Sequence, residues 1–220
     1  MSERKPINAE SKAQAAHRMI EEMIVTLELP PGIRISESSM SKRLGIGRTP
    51  VREALQRLAR ERSITILPRS GAVITDIDVG EHFKLIEARR GLERILTGRA
   101  ARLAEAQARA HFRDLQKRFE LAAGENSEKI FIPTDREFNR LVADTADNVY
   151  ASDAMAPIQA QTRRFWYLYF KHFGDLARVS HLHAEIASAI ADNAESAAVA
   201  ASDRLVDYVE EYTARTQSLE

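Results

Sequence analysis

The sequence predicts a mainly α-helical chain in two parts: a winged helix-turn-helix over residues 1–76 and an all-helical bundle over residues 77–220. Three observations predict it. Apolar residues recur at three- and four-residue steps along most of the chain, which is the mark of amphipathic helices. That period breaks once, between Ile64 and Ile74, into an alternation suited to short strands around a Gly-bearing turn. After Asp76 the strand and turn signals disappear.

Between Ala13 and Leu29, the residues Ala16, Met19, Ile20, Met23, Ile24 and Leu27 form one apolar stripe, and Pro30-Pro31-Gly32 stop the helix. Ser36 is placed to cap the next helix, with Ile35 and Met40 at the spacing of a hydrophobic staple and Leu44-Gly45 closing it. Gly45-Ile46-Gly47 makes a tight turn. A third helix is expected to open with Thr49 as cap and Pro50 at its first position, where a missing N–H costs nothing. Its buried face is Val51, Ala54, Leu55 and Leu58. Ile64, Ile66 and Val73 then read as strands flanking the hairpin Pro68-Arg69-Ser70-Gly71. A short linker over Asp76–Gly80 leads to six helices expected near 79–105, 108–123, 127–146, 151–173, 175–192 and 195–216, enough for a bundle around a central cavity.

A chain of 220 residues, 44% hydrophobic and 29% charged, has an ordinary globular composition with room for two small domains. Basic and acidic residues balance at 32 each, but unevenly along the chain. Residues 1–75 hold 13 basic against 8 acidic side chains and the remainder 19 against 24, so the N-terminal part suits an anionic polymer. The absence of cysteine excludes disulfides and thiolate metal sites and fits a reducing compartment. The opening MSERKPINAES is polar, and no stretch approaches the roughly 20 apolar residues of a membrane span. A cytoplasmic protein with no membrane partner is the expectation.

The segment that carries chemistry is Arg48-Thr49-Pro50-Val51-Arg52-Glu53-Ala54-Leu55-Gln56-Arg57-Leu58. Arg48, Arg52 and Gln56 are four apart and share the face opposite Val51, Leu55 and Leu58. Arginine can grip guanine O6 and N7 with two hydrogen bonds, Gln can do the same for adenine, and the start of such a helix enters the major groove of double-stranded DNA. Thr49 and the helix N-terminus suit a phosphate. A solvated amphipathic helix would look the same on pattern alone; its context separates the two readings.

The stretch PPGIRISESSMSKRLGIGRTPVREALQRLARERSITILPRSGAVI resembles the GntR-type winged helix domain, and the resemblance spans residues 13–75. The shared elements are P-G, a basic residue followed by Ser-Glu, a short helix ending in Leu-Gly, the run R-T-P-V-R-E-A-L and a Gly-tipped wing. The resemblance implies DNA contacts from Arg34, Arg48, Thr49, Arg52 and the wing residues Arg69, Ser70 and Gly71, to which the helix reading adds Gln56. Two departures stand out: Gly47 replaces the usual Ser before R-T-P, and Arg62 replaces the usual Gly after the third helix. Arg34 is open to a second reading as an ordinary surface charge.

The remainder, from about 78 to 217, resembles the FadR-type C-terminal (FCD) domain. Glu87-Ala88-Arg89-Arg90-Gly91-Leu92-Glu93, Asp135-Arg136-Glu137-Phe138-Asn139 and His183-Ala184-Glu185-Ile186 carry the likeness. In many members of this family an Asp, a His four residues on and two further His hold a divalent metal, and the resemblance implies a small organic acid as effector. Here the set is incomplete: Asp135 and His183 are present, Asn139 stands where the first His is expected, and Arg204–Tyr208 offers no His for the last place. Two readings stay open, a divalent metal on Asp135, Asn139 and His183, or a polar cavity in which those three and Tyr208 hydrogen-bond the effector directly. Arg89, Arg163 and Arg164 lie in or beside apolar helical runs and need an anionic partner, which is either a ligand carboxylate or, for Arg89, Glu93 on its own helix. The aromatic run from Phe165 to Phe170 suits core, dimer seam or pocket wall.

The function these readings predict is a homodimeric, ligand-responsive repressor or activator acting on a near-palindromic DNA operator. A small metal-dependent enzyme using Asp135 and His183 is the rival from another class, but no nucleophile–base motif or Gly-rich phosphate loop accompanies it. Nonspecific architectural DNA binding is a third reading; it leaves the bundle without a purpose.

Overall fold

The computed structural model describes residues 10–217, apart from the side chains of 170–173. Two compact units emerge: one runs through Ile77 and includes Arg163–Leu168, and the other comprises Asp78–Thr162 and the chain from Tyr169 onward.

In the first unit, α1 (Lys12–Val25) opens on a capping box, Ser11 Oγ accepting from Gln14 N while the Gln14 side chain takes Ser11 N. It ends four residues short of the expected Leu29. Leu27 takes a left-handed φ of 61° and turns the chain, so that Leu29 N bonds Met23 O and Leu29 itself packs into the core. Apolar periodicity carries on past the turn because Leu29 is buried from a loop. Helix α2 (Glu37–Leu44) begins at Ser36 with a second reciprocal cap and ends on left-handed Gly45, both as expected. Helix α3 (Arg48–Arg60) starts two residues earlier than expected: Gly47 is the N-cap, and Val51 N closes the first turn on Gly47 O. Thr49 is therefore inside the helix and Pro50 is its third residue, still within the turn whose N–H groups lack helical partners.

The wing is β2 (Ile64–Leu67) paired antiparallel with β3 (Gly71–Ile74). A strand absent from the sequence reading, β1 (Arg34–Ile35), pairs with the other edge of β3, setting Arg34 opposite Val73 and giving the order β1-β3-β2. Two residues are too few to show a period. Ile20, Ile24, Ile35, Met40, Val51, Leu55, Leu58, Ile64 and Ile74 form one buried cluster that joins helices and sheet.

The second unit is built from α4 (Val79–Leu103), α5 (Ala106–Glu125), α6 (Glu128–Ala146), α7 (Val149–Phe173) apart from its residues Arg163–Leu168, α8 (Leu176–Ala191) and α9 (Glu195–Thr216). Helix α8 packs against α5 and α9, and α9 against α4. Phe112, Leu115, Phe119, Ile186, Ile190, Leu205 and Val206 fill the space between them. Helix ends are closed by long-range side chains: Arg99 donates to Ala146 O and Asp147 O, and Asn193 Nδ2 to Ala101 O and Ala104 O. Carbonyls with no partner in their own helix are thus satisfied from a neighbour. Among the described residues no helix is long and apolar enough to cross a membrane.

Candidate nucleic-acid interface and sensing cluster

Helix α3 divides along its length. Val51, Ala54, Leu55 and Leu58 are buried, while Arg48, Thr49, Arg52 and Gln56 are exposed on the outer side. A helix anchored by its aliphatic side holds its polar side rigidly outward, the requirement for reading base edges. The guanidiniums are held by α2. Arg52 donates from Nε and Nη2 to the two Glu37 oxygens at 2.7 and 2.9 Å, and Arg48 Nη2 reaches Ser38 Oγ at 3.4 Å. The hydrogen bond from Arg52 keeps the Glu37 carboxyl below the usual carboxylate range. Glu37 and Ser38 were missed as partners because in the sequence they read only as the opening of a helix.

Arg69 and Ser70 are exposed at the wing tip, Arg69 with a left-handed φ of 60° and Ser70 N bonded to Leu67 O. Gly71 has φ 84°, and a Cβ there would collide with the carbonyl oxygen of Ile35 on β1. Arg34 is exposed on β1. Arg62, one of the two departures, adopts φ 62°, which shows why glycine suits that place.

In the second unit the structure brings together Asp135 and Asn139 of α6 and His183 of α8. Asn139 Nδ2 donates to Asp135 Oδ1 at 2.9 Å, and His183 Nε2 lies 3.2 Å from the same oxygen. His183 Nδ1 donates to Val179 O at 2.8 Å, so Nε2 and Asp135 Oδ1 would meet lone pair to lone pair in the neutral imidazole. The rings of Phe119, Phe131 and Phe138 surround the imidazole at centroid distances of 5.0, 5.4 and 5.8 Å.

The donor set does not fit an imidazole-rich metal site. Asn139 Oδ1, the oxygen that would replace a histidine nitrogen, accepts from Gln159 Nε2 of α7 at 2.9 Å. The Tyr208 hydroxyl accepts from Asp175 N at 3.0 Å and donates to Asp175 O, which engages it outside the Asp135–His183 cluster. Arg89 is buried and bonded to Glu93 through Nε at 3.0 Å, the same-helix pairing that the spacing allowed. Arg163 is half-buried. Arg164, in the first unit, is buried and donates to Thr75 Oγ1 at 3.1 Å and to Thr75 O; burial pulls its guanidinium down to about 10.

Comparison with known proteins adds two family matches. Residues 12–74 match the family described as bacterial regulatory proteins, gntR family, and residues 84–208 match the FCD domain. The HTH-type transcriptional repressor RspR of Escherichia coli (strain K12) is 28% identical over 178 residues, 80% of this chain and 78% of that protein. The Nta operon transcriptional regulator of Aminobacter aminovorans is 29% identical over 177 residues, 79% of this chain and 80% of its own. Among solved structures, E. coli McbR/YncC aligns with a TM-score of 0.81 at 14% identity, covering 94% of this chain and 99% of that one, which supports the fold.

Proposed function

Because the chain belongs to the gntR family of bacterial regulatory proteins and carries an FCD domain, it is a DNA-binding transcriptional regulator and not an enzyme, and we propose how its residues divide that work. Arg48, Arg52 and Gln56 reach base edges in the major groove, while Thr49, Arg34 and the wing at Arg69, Ser70 and Gly71 hold the phosphate backbone. The observation that carries this reading is the outward polar face at the start of α3, set on a fully buried aliphatic face. Two chains bind as a homodimer, so that two α3 helices meet successive half-sites of an operator. The sense of regulation is repression, by analogy with the relative described as a repressor.

The effector is a small organic acid held in the second unit by Asp135, Asn139 and His183. Direct hydrogen bonding is favoured over a resident metal because Gln159 already engages the Asn139 oxygen. Arg89 and Arg164 have partners in Glu93 and Thr75, so neither is needed to anchor the acid, although exchange of Glu93 for a ligand carboxylate keeps Arg89 in play. The effector shifts the balance between DNA-binding and non-binding arrangements by as much as its affinity differs between them.

Selection from a random duplex pool by the full-length chain tests the DNA reading: enrichment of a near-palindromic site is expected, and uniform recovery would overturn it. A thermal-shift screen of carboxylic acids, with and without divalent metal, tests the sensor. A stabilising acid that acts without metal and fails against Asp135→Ala and His183→Ala is the expected result; stabilisation only with metal would reverse the preference for direct binding.

A further inference from the structure

Three ligand groups meet inside the winged unit, where the DNA-binding reading gives them no role. His17 and Glu21 are four apart on α1 and so share one face, and Glu61 is the residue that ends α3. One atom from each, an imidazole nitrogen and two carboxylate oxygens, lies within 4.8 Å of the others. His17 is only 7% exposed, and its Nε2 sits 2.6 Å from Glu61 Oε2. Glu61 Oε1 accepts from Arg57 Nε at 2.8 Å, so the carboxylate is held with one oxygen on the guanidinium and the other facing the imidazole. Glu21 is half-buried beside them, and loss of water raises its carboxyl above the usual range, with the charges of His17, Arg163 and Arg57 opposing that rise.

Two carboxylates and an imidazole collected away from water are a costly arrangement unless positive charge sits among them. We propose that the winged unit contains a divalent transition-metal site whose ligands are His17 Nε2, Glu21 and Glu61, with water completing the shell. One nitrogen and two oxygens leaving an open position is a set that Zn²⁺ accepts, and the buried imidazole selects transition metals over Mg²⁺ and Ca²⁺. Two carboxylates neutralise the ion. Each side chain has to shift by less than about 1 Å to bring its atom to the roughly 2 Å bond length. The ion takes the place of the hydrogen between His17 Nε2 and Glu61 Oε2, the neutral ring then carrying its proton on Nδ1; because the ligands have to be deprotonated, binding weakens toward acid pH. Arg57 stays on Oε1 and orients Glu61 from outside the shell. The bond would tie α1 to the end of the helix that presents Arg48 and Arg52. It uses none of Asp135, Asn139 or His183, and its failure would leave the proposed function untouched.

The test uses full-length protein stripped with chelator, dialysed against Zn²⁺ and assayed by elemental analysis, with thermal unfolding in Zn²⁺ or Mg²⁺ alone. The expected result is one Zn²⁺ per chain that survives His183→Gln, and an unfolding midpoint raised by Zn²⁺ but not by Mg²⁺. His17→Gln should abolish both effects, and Glu21→Gln, which spares the His17–Glu61 contact if the first variant fails to fold, should weaken Zn²⁺ binding at least about tenfold. Zn²⁺ uptake unchanged by Glu21→Gln, lost with His183→Gln, or absent from the wild-type chain would each overturn the proposal.

Discussion

Arg52 stands on an open helix face with both carboxylate oxygens of Glu37 against it, so its guanidinium is aimed before any DNA arrives. Side-chain ordering is part of the cost of binding, and a group already held meets less of it. Replacing Arg48 or Arg52 with Ala is expected to cost about 1–3 kcal/mol at the preferred duplex and to relax selectivity there. Competition binding against duplexes changed at one position checks this; unchanged preference would remove these residues from base reading. His82 gives a prediction of another kind. Burial, reinforced by the charge of Arg89, lowers its imidazole to about 3. The folded chain then binds fewer protons than the unfolded chain between about pH 6.5 and 3, so stability is present above that window and is lost as pH falls through it. Up to about 1.4 kcal/mol per pH unit should disappear, seen as a falling thermal midpoint whose slope flattens in His82→Gln.

At the scale of elements, most helix positions are legible because each amphipathic helix writes its own period and caps. Ser36 and Gly45 bound α2 as read, and α9 spans Glu195–Thr216, as expected from the apolar spacing. The misses are places where a distant segment decides. Leu29 extends the apolar stripe of α1 but is buried from a turn, and β1 exists only because β3 offers an edge. Gly71 shows the same dependence: its left-handed φ belongs to the hairpin, but the crowding by Ile35 comes from β1. Gly71→Ala is therefore expected to cost at least about 2 kcal/mol and to weaken DNA binding, whereas Gly45→Ala, also left-handed but with open space around it, should cost only about 1 kcal/mol. Denaturant unfolding of both variants makes the comparison; equal losses would remove the role of β1.

Across the whole molecule, charge is divided where composition alone shows none, with the excess of basic residues in the first 75 positions. If phosphate contacts dominate affinity, operator binding should fall on the order of 10²-fold or more between about 50 and 200 mM salt, as expected when four or more phosphates are neutralised. An anisotropy series read against log salt gives the number of contacts directly from its slope, and a flat series would remove them. The same division follows the two family matches, at residues 12–74 and 84–208.

The sequence by itself determined the family, the order of helices and wing, and the polar face of α3, because each rests on local spacing that a one-dimensional pattern preserves. The partners were decided by the tertiary structure: Glu37 for Arg52, Gln159 for Asn139, Asp175 for Tyr208 and Thr75 for Arg164. Hydrogen bonds and ion pairs act over a few ångströms, and only the folded chain brings residues 15 to 89 positions apart within that distance.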